Sequence, residues 1–197
     1  MIPFDKQKIL WQTLSRSLVM PDRDWFGVME GFLEELRAAG WGENMSQKLD
    51  RWASALDELK LEPLEEVQYE YTRLFVNGYP KTACPPYESV YREGTMLGES
   101  AMDVYLIYRD WGVEVSEDEA GDHLAVMLEF LYYLTSALEI ADDEEKLQAV
   151  EDAIEGFWRD HLQPWLPNFA KDLKESSEMS FYSQLGEVLE EVVSMMK

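Results

Sequence analysis

Apolar residues recur at helical spacing along nearly the whole chain, and no run of strict apolar–polar alternation bounded by turn residues interrupts them. The pattern predicts helices over Asp5 to Met20, Asp22 to Ala39 and Asn44 to Lys60. Another begins near Pro63, with Glu65 and Glu66 in its first turn, where the helix dipole favours anions. In it Val67, Tyr71, Leu74 and Phe75 share a face at i, i+4, i+7 and i+8. Ser100 with Asp103 has the form of a capping box opening a helix to Trp111. Ser116 with Glu119 has the same form and leads into a helix carrying Leu124, Met127, Leu128, Leu131, Leu134 and Leu138. Further helices are predicted over Asp143 to His161 and Ser180 to Met196, with Pro164 and Pro167 breaking the pattern around PWLPNF between them. No sheet, no internal repeat and no long linker is expected. The expectation is an all-α, single-domain helical bundle over residues 1–197.

The longest irregular stretch runs from Asn77 to Pro86, and long loops in compact domains tend to carry function. Asn77-Gly78 is expected to give the preceding helix a left-handed stop, Pro80 to stiffen the loop, and Pro85-Pro86 to force an extended path. Tyr87, Glu88, Ser89 and Tyr91 then leave the loop together. Two rings and a carboxylate in that position can hold an extended peptide; a Pro-rich turn rimmed by tyrosines can equally serve to cover a core.

Composition narrows the function. The 197 residues are 46% hydrophobic, enough for a real core, and carry a net charge of −23. That charge argues against nucleic-acid partners and anionic membrane surfaces and favours a basic partner, although acidic surfaces also serve solubility. A single cysteine, Cys84, excludes an internal disulfide. With only His123 and His161 beside it, no Cys/His zinc cluster can form within one chain, and no metal or cofactor is expected. There is no P-loop and no HExxH, and the residues three before the histidines are Ala120 and Trp158, so the Glu-x-x-His of a di-iron bundle is missing. The start, MIPFDKQKILWQTL, lacks a signal-peptide apolar region and reads as the first helix of a cytoplasmic protein. His123 to Ala141 is nearly long enough to span a bilayer. However, Glu129 and Glu139 interrupt it and Asp142-Asp143 follow, so a buried helix without stable membrane insertion is expected. Asp122-His123 follows the acidic run Glu117-Asp118-Glu119. It reads as a structural pair or as a polar anchor whose carboxylate receives an arginine fork, with His123 adding a hydrogen bond or a pH-sensitive charge. From a different class, a small acidic enzyme could use the same pair as general acid and base.

Three segments in order resemble the TorD/DmsD family of cytoplasmic chaperones for molybdenum-containing redox enzymes. They are YxxLF at Tyr71, Leu74 and Phe75; PPYESVY at Pro85 to Tyr91; and DHLAVMLEFL at Asp122 to Leu131, with WRDHLQPWLPNF from Trp158 to Phe169 as a weaker fourth. The related nitrate-reductase assembly chaperones share the fold and are the alternative within that class. The resemblance implies an all-helical, non-enzymatic protein that binds the twin-arginine signal peptide of a precursor and holds it until cofactor insertion. It nominates Tyr71, Leu74, Phe75, Pro86, Tyr87, Tyr91, Asp122 and His123 as signal-peptide-binding residues, with Glu88 and Ser89 next. Tyr71 and Tyr87 stand where some family members have Trp.

Overall fold

A computed structural model describes residues 2–79, 81–116 and 119–197. Pro80, expected to stiffen its loop, and Glu117 and Asp118 of the acidic run lie outside the described residues. Among those described, regular structure consists of ten α-helices and two π-helical turns; the only β pairing is one isolated bridge. None of these helices is long and apolar enough to cross a membrane. Backbone contacts group the chain into two compact units.

The first unit comprises Ile2, residues 16–85 and residues 166–197. It holds α2 (Trp25–Ala38), α3 (Glu43–Leu59), α4 (Leu64–Tyr71) with a π-helical turn over Thr72–Val76, α9 (Leu166–Ser176) and α10 (Ser180–Met195). α10 packs against both α9 and α3. Its apolar face puts Phe181 edge-on to Trp25 at 5.4 Å and against Trp52 at 5.6 Å, all three fully buried. Gly186 lets α10 approach α9: a Cβ there would sit 2.8 Å from the Ala170 carbonyl oxygen. α9 was not expected. Pro167 breaks no helix because it falls in the first turn of one, where a backbone N–H has no intrahelical acceptor to lose.

α4 ends differently from the expectation. Asn77 is extended (φ −154°), and the chain closes through a π-type bond from the Asn77 N–H to the Thr72 carbonyl at 2.8 Å, with no left-handed residue. Gly78 is needed for space instead, since a Cβ would meet the Lys81 and Arg73 carbonyl oxygens at 2.8 and 2.9 Å.

The second unit comprises residues 3–15 and 86–165. It holds most of α1 (Phe4–Ser17), α5 (Glu88–Glu93), α6 (Glu99–Asp110), α7 (Leu124–Ala137) and α8 (Glu144–Phe157) with a π-helical turn over Trp158–Leu162. The predicted apolar run of α7 forms the core, with Leu124, Met127, Leu128, Leu131 and Leu134 all fully buried. Phe130 joins Tyr108 (4.7 Å) and Phe157 (4.9 Å), and Trp11 of α1 stacks on Trp158 at 5.7 Å. The charges inside the apolar segment are exposed and partnered: Glu129 accepts from the Ser15 hydroxyl, and Glu139 pairs with Lys8 at 2.7 Å.

Both capping boxes are corrected. α7 begins at Leu124, not after Ser116, and its cap is His123. Ser100 lies inside α6, whose first N–H groups are taken by the Glu93 carboxylate, 2.7 Å from the Glu99 nitrogen and 2.9 Å from that of Ser100. A remote acceptor thus does the work that sequence spacing assigned to a local one.

Candidate functional site

The nominated residues of the second unit meet where α5 and α7 begin. Pro86 through Glu88 runs antiparallel to Asp122 through Leu124: the Glu88 N–H donates to the Asp122 carbonyl (3.1 Å) and the Leu124 N–H to the Pro86 carbonyl (2.8 Å). Tyr87 and His123 face each other across this bridge, ring edge to ring face, 5.1 Å apart. Tyr87 is the residue before α5 and His123 the residue before α7. Both are partly buried.

Asp122 is fully buried. Its Oδ2 accepts from the Ser89 backbone N–H at 3.0 Å and the Ser89 hydroxyl at 2.6 Å, capping α5 from a distant segment. Oδ1 has no hydrogen-bond partner among the described residues. Tyr108, also buried, donates to the Gly121 carbonyl at 2.8 Å and fixes the same strand of chain. Desolvation, and then the neighbouring Asp122, raise the Tyr87 phenol, which stays protonated at neutral pH.

His123 caps its own helix. Nδ1 accepts from the Ala125 N–H at 3.1 Å, which leaves the proton on Nε2. Burial lowers its pKa to about 4, against an opposing pull from Asp122. His123 is therefore neutral at physiological pH and offers a hydrogen-bond donor; the pH-sensitive charge anticipated for it does not arise between pH 5 and 8.

Glu88 and Ser89 do not leave a loop, as expected, but start α5, with both side chains fully buried. Glu88 holds Arg92 at 2.5 Å and His161 Nδ1 at 3.2 Å. Arg92 also donates to the Asp160 carbonyl at 3.2 Å. Tyr91 is partly buried, its ring 5.4 Å from that of Trp165. The sequence reading missed Arg92 and His161; the i, i+4 spacing of Glu88 and Arg92 was the available signal.

Tyr71, Leu74 and Phe75 belong to the first unit and lie in its core, all buried. Phe75 packs on Tyr71 (5.1 Å), Tyr182 (5.4 Å) and Phe169 (6.4 Å), and the Tyr71 hydroxyl donates to the Leu18 carbonyl at 2.9 Å. Beside them lies an unforeseen buried carboxylate, Glu70. It takes the Arg73 guanidinium in a fork (2.7 and 3.0 Å) and the Glu178 backbone N–H at 2.7 Å. Cys84 is buried and desolvation pushes its thiol up to about 12, so no nucleophilic thiolate is available. Among the described residues no group of His, Cys, Asp and Glu is arranged to hold a metal ion.

The sequence profile of the family described as nitrate reductase delta subunit matches residues 39–171, a span that contains all ten nominated residues. The chaperone protein TorD of Vibrio parahaemolyticus is 31% identical over 160 residues, 77% of this chain and 74% of its own. TorD of Photobacterium profundum is 28% identical over 194 residues, 92% and 88% of the two chains. In three dimensions the chain is similar to the crystal structure of a proposed redox enzyme maturation protein from Archaeoglobus fulgidus, with a TM-score of 0.64, 26% identity, and coverage of 95% and 93%. The two TorD relatives are named chaperones, and the Asp122-His123 pair caps two helices. The chain belongs to the TorD family of chaperone proteins, within the wider nitrate reductase delta subunit family.

Proposed function

We propose that this protein is a cytoplasmic chaperone that binds the twin-arginine signal peptide of a molybdenum-containing redox enzyme and holds the precursor until its cofactor is inserted. Kinship with TorD chaperones over most of the chain is the observation that carries the reading. The net charge of −23 supports it, because carboxylates match guanidinium forks and long-range attraction speeds encounter. In the second unit, Tyr87, Tyr91 and His123 are the nominated residues that are not fully buried. Rings supply apolar contact and the imidazole a donor for a peptide carbonyl. Asp122, Glu88 and Ser89 form their frame: they set the register of the bridge that presents Tyr87 and His123.

Calorimetric titration tests the reading with a twin-arginine peptide and its twin-lysine counterpart at two salt concentrations. Stoichiometric binding is expected, weaker for lysine and weaker at higher salt. Tyr87→Ala should weaken it about tenfold, roughly 1.4 kcal/mol, with little change in salt dependence. Asp122→Asn is a poor probe, because Asp122 is fully buried and its carboxylate is engaged by Ser89. Failure of the unaltered protein to bind the twin-arginine peptide at any salt would reject the proposal. The match to the nitrate reductase delta subunit profile favours a nitrate reductase as a second client class. Pull-down from cell extract separates the two by the precursor recovered.

A further inference from the structure

We infer that a groove along α8 in the second unit seats the apolar stretch of the bound peptide, an inference that rests on the signal-peptide reading above. Two cavities of about 400 and 230 Å³ lie along α8 and share Trp111 of the α6 end. On the α8 side Lys146, Val150 and Phe157 line them together with Ala149, Ala153 and Gly156; these last three fall on one face and are too small to fill the space above them. A Cβ at Gly156 would meet nothing nearer than an Arg159 nitrogen at 3.9 Å. At one end Ile140 stands 82% exposed. An apolar trough with an uncovered isoleucine at its mouth is a surface that gains by being covered.

Charge decides what covers it. Glu145 and Asp152 precede Ala149 and Gly156 by four residues and so stand beside them on the same helix. The nearby cations are already committed: Lys146 to Asp142 (2.5 Å) and Asp143 (3.2 Å), and Arg159 to Asp160 (2.6 Å). Asp152 accepts from the Gln148 amide at 2.9 Å, and neither rim carboxylate has a cation among the described residues. The rim therefore selects an apolar segment flanked by basic residues. A second copy of this chain, itself at −23, is repelled. From Lys146 to Asp160 the helix rises about 21 Å, room for roughly six residues of extended chain.

The experiment uses the full chain and a fluorescent twin-arginine peptide, with and without its apolar stretch. Gly156→Leu fills the groove from an open helical position, and Ala149→Leu does so from an exposed one; circular dichroism confirms that at least one is folded. The long peptide should bind either folded variant at least tenfold more weakly than the unaltered protein, while the truncated peptide binds all three alike. Glu145→Gln with Asp152→Asn should flatten the salt dependence. Tight binding of the long peptide, unchanged by both fillings, overturns the groove assignment and leaves the signal-peptide reading intact. No binding to the unaltered protein sinks both. A dimer of the unaltered protein that Gly156→Leu dissociates would assign the groove to a second copy and equally overturn the inference.

Discussion

Asp122 and His123 are chain neighbours that serve different helices, α5 and α7 respectively. The pair was visible in the sequence; the division of labour was not, because Asp122 reaches Ser89 across thirty-three positions. For His123 the depressed pKa has a thermodynamic consequence. The unfolded chain binds a proton below about 6.5 and the folded chain only below about 4, so the unfolded state holds more protons in between. His123 therefore contributes stability that is complete above pH 6.5 and lost as pH falls toward 4, on the order of 2–3 kcal/mol. Protonation also removes the Nδ1 lone pair that caps α7. His123→Asn keeps a capping acceptor without titrating. Urea melts from pH 7 to 4.5 should show a shallower decline for this variant than for the parent; parallel declines would assign the acid sensitivity to carboxylates alone.

At the scale of elements, helices with a strong apolar stripe were legible. α3 and α10 match their predicted spans to within two residues, and α7 is the buried helix foreseen, with its leucines from Leu124 to Leu134 in the core and Leu138, its C-cap, only partly buried. α5 and α9 were not legible, for a shared reason. α5 has six residues and follows Pro85-Pro86, and α9 carries Pro167, so each looked like irregular chain. Tertiary acceptors and packing stabilise them: the Asp122 carboxylate at the start of α5, and α10 lying against α9. The candidate site suffered likewise, because helical periodicity marks Tyr71, Leu74 and Phe75 as one face but does not say whether that face meets a peptide or the core. Glu70 shows how much one buried carboxylate can organise. It joins Arg73 of the π-helical turn to the N–H of Glu178, between α9 and α10, and Arg73 donates in turn to the Ser176 carbonyl at 2.7 Å. Glu70→Ala strands both donors and should cost about 2–4 kcal/mol in urea denaturation, with Glu70→Gln intermediate. A loss under about half a kcal/mol would mean that the α9–α10 turn is held by apolar packing alone.

Across the whole molecule, 40 acidic side chains face 17 lysines and arginines. Most of the ion pairs are exposed and individually worth little, whereas the excess of negative charge repels itself throughout the folded chain. The repulsion should dominate the response to salt. Raising sodium chloride from about 0.02 M to about 0.3 M shortens the screening length from roughly 20 to roughly 6 Å. That screens distant carboxylates from one another more than it weakens pairs in contact. The melting temperature of the free protein is therefore expected to rise by a few degrees over this range, measured by circular dichroism at pH 7. On the proposed function the same salt should weaken twin-arginine peptide binding, because there the charges attract. The opposite signs would be diagnostic: on that proposal a single acidic surplus destabilises the free chain and attracts the basic peptide. A melting temperature that falls with salt would show that ion pairs such as Lys174 with Glu187 and Glu190, at 2.9 and 2.7 Å, outweigh the net charge. The acidity would then be read as a stabilising network and not as an unfilled binding potential.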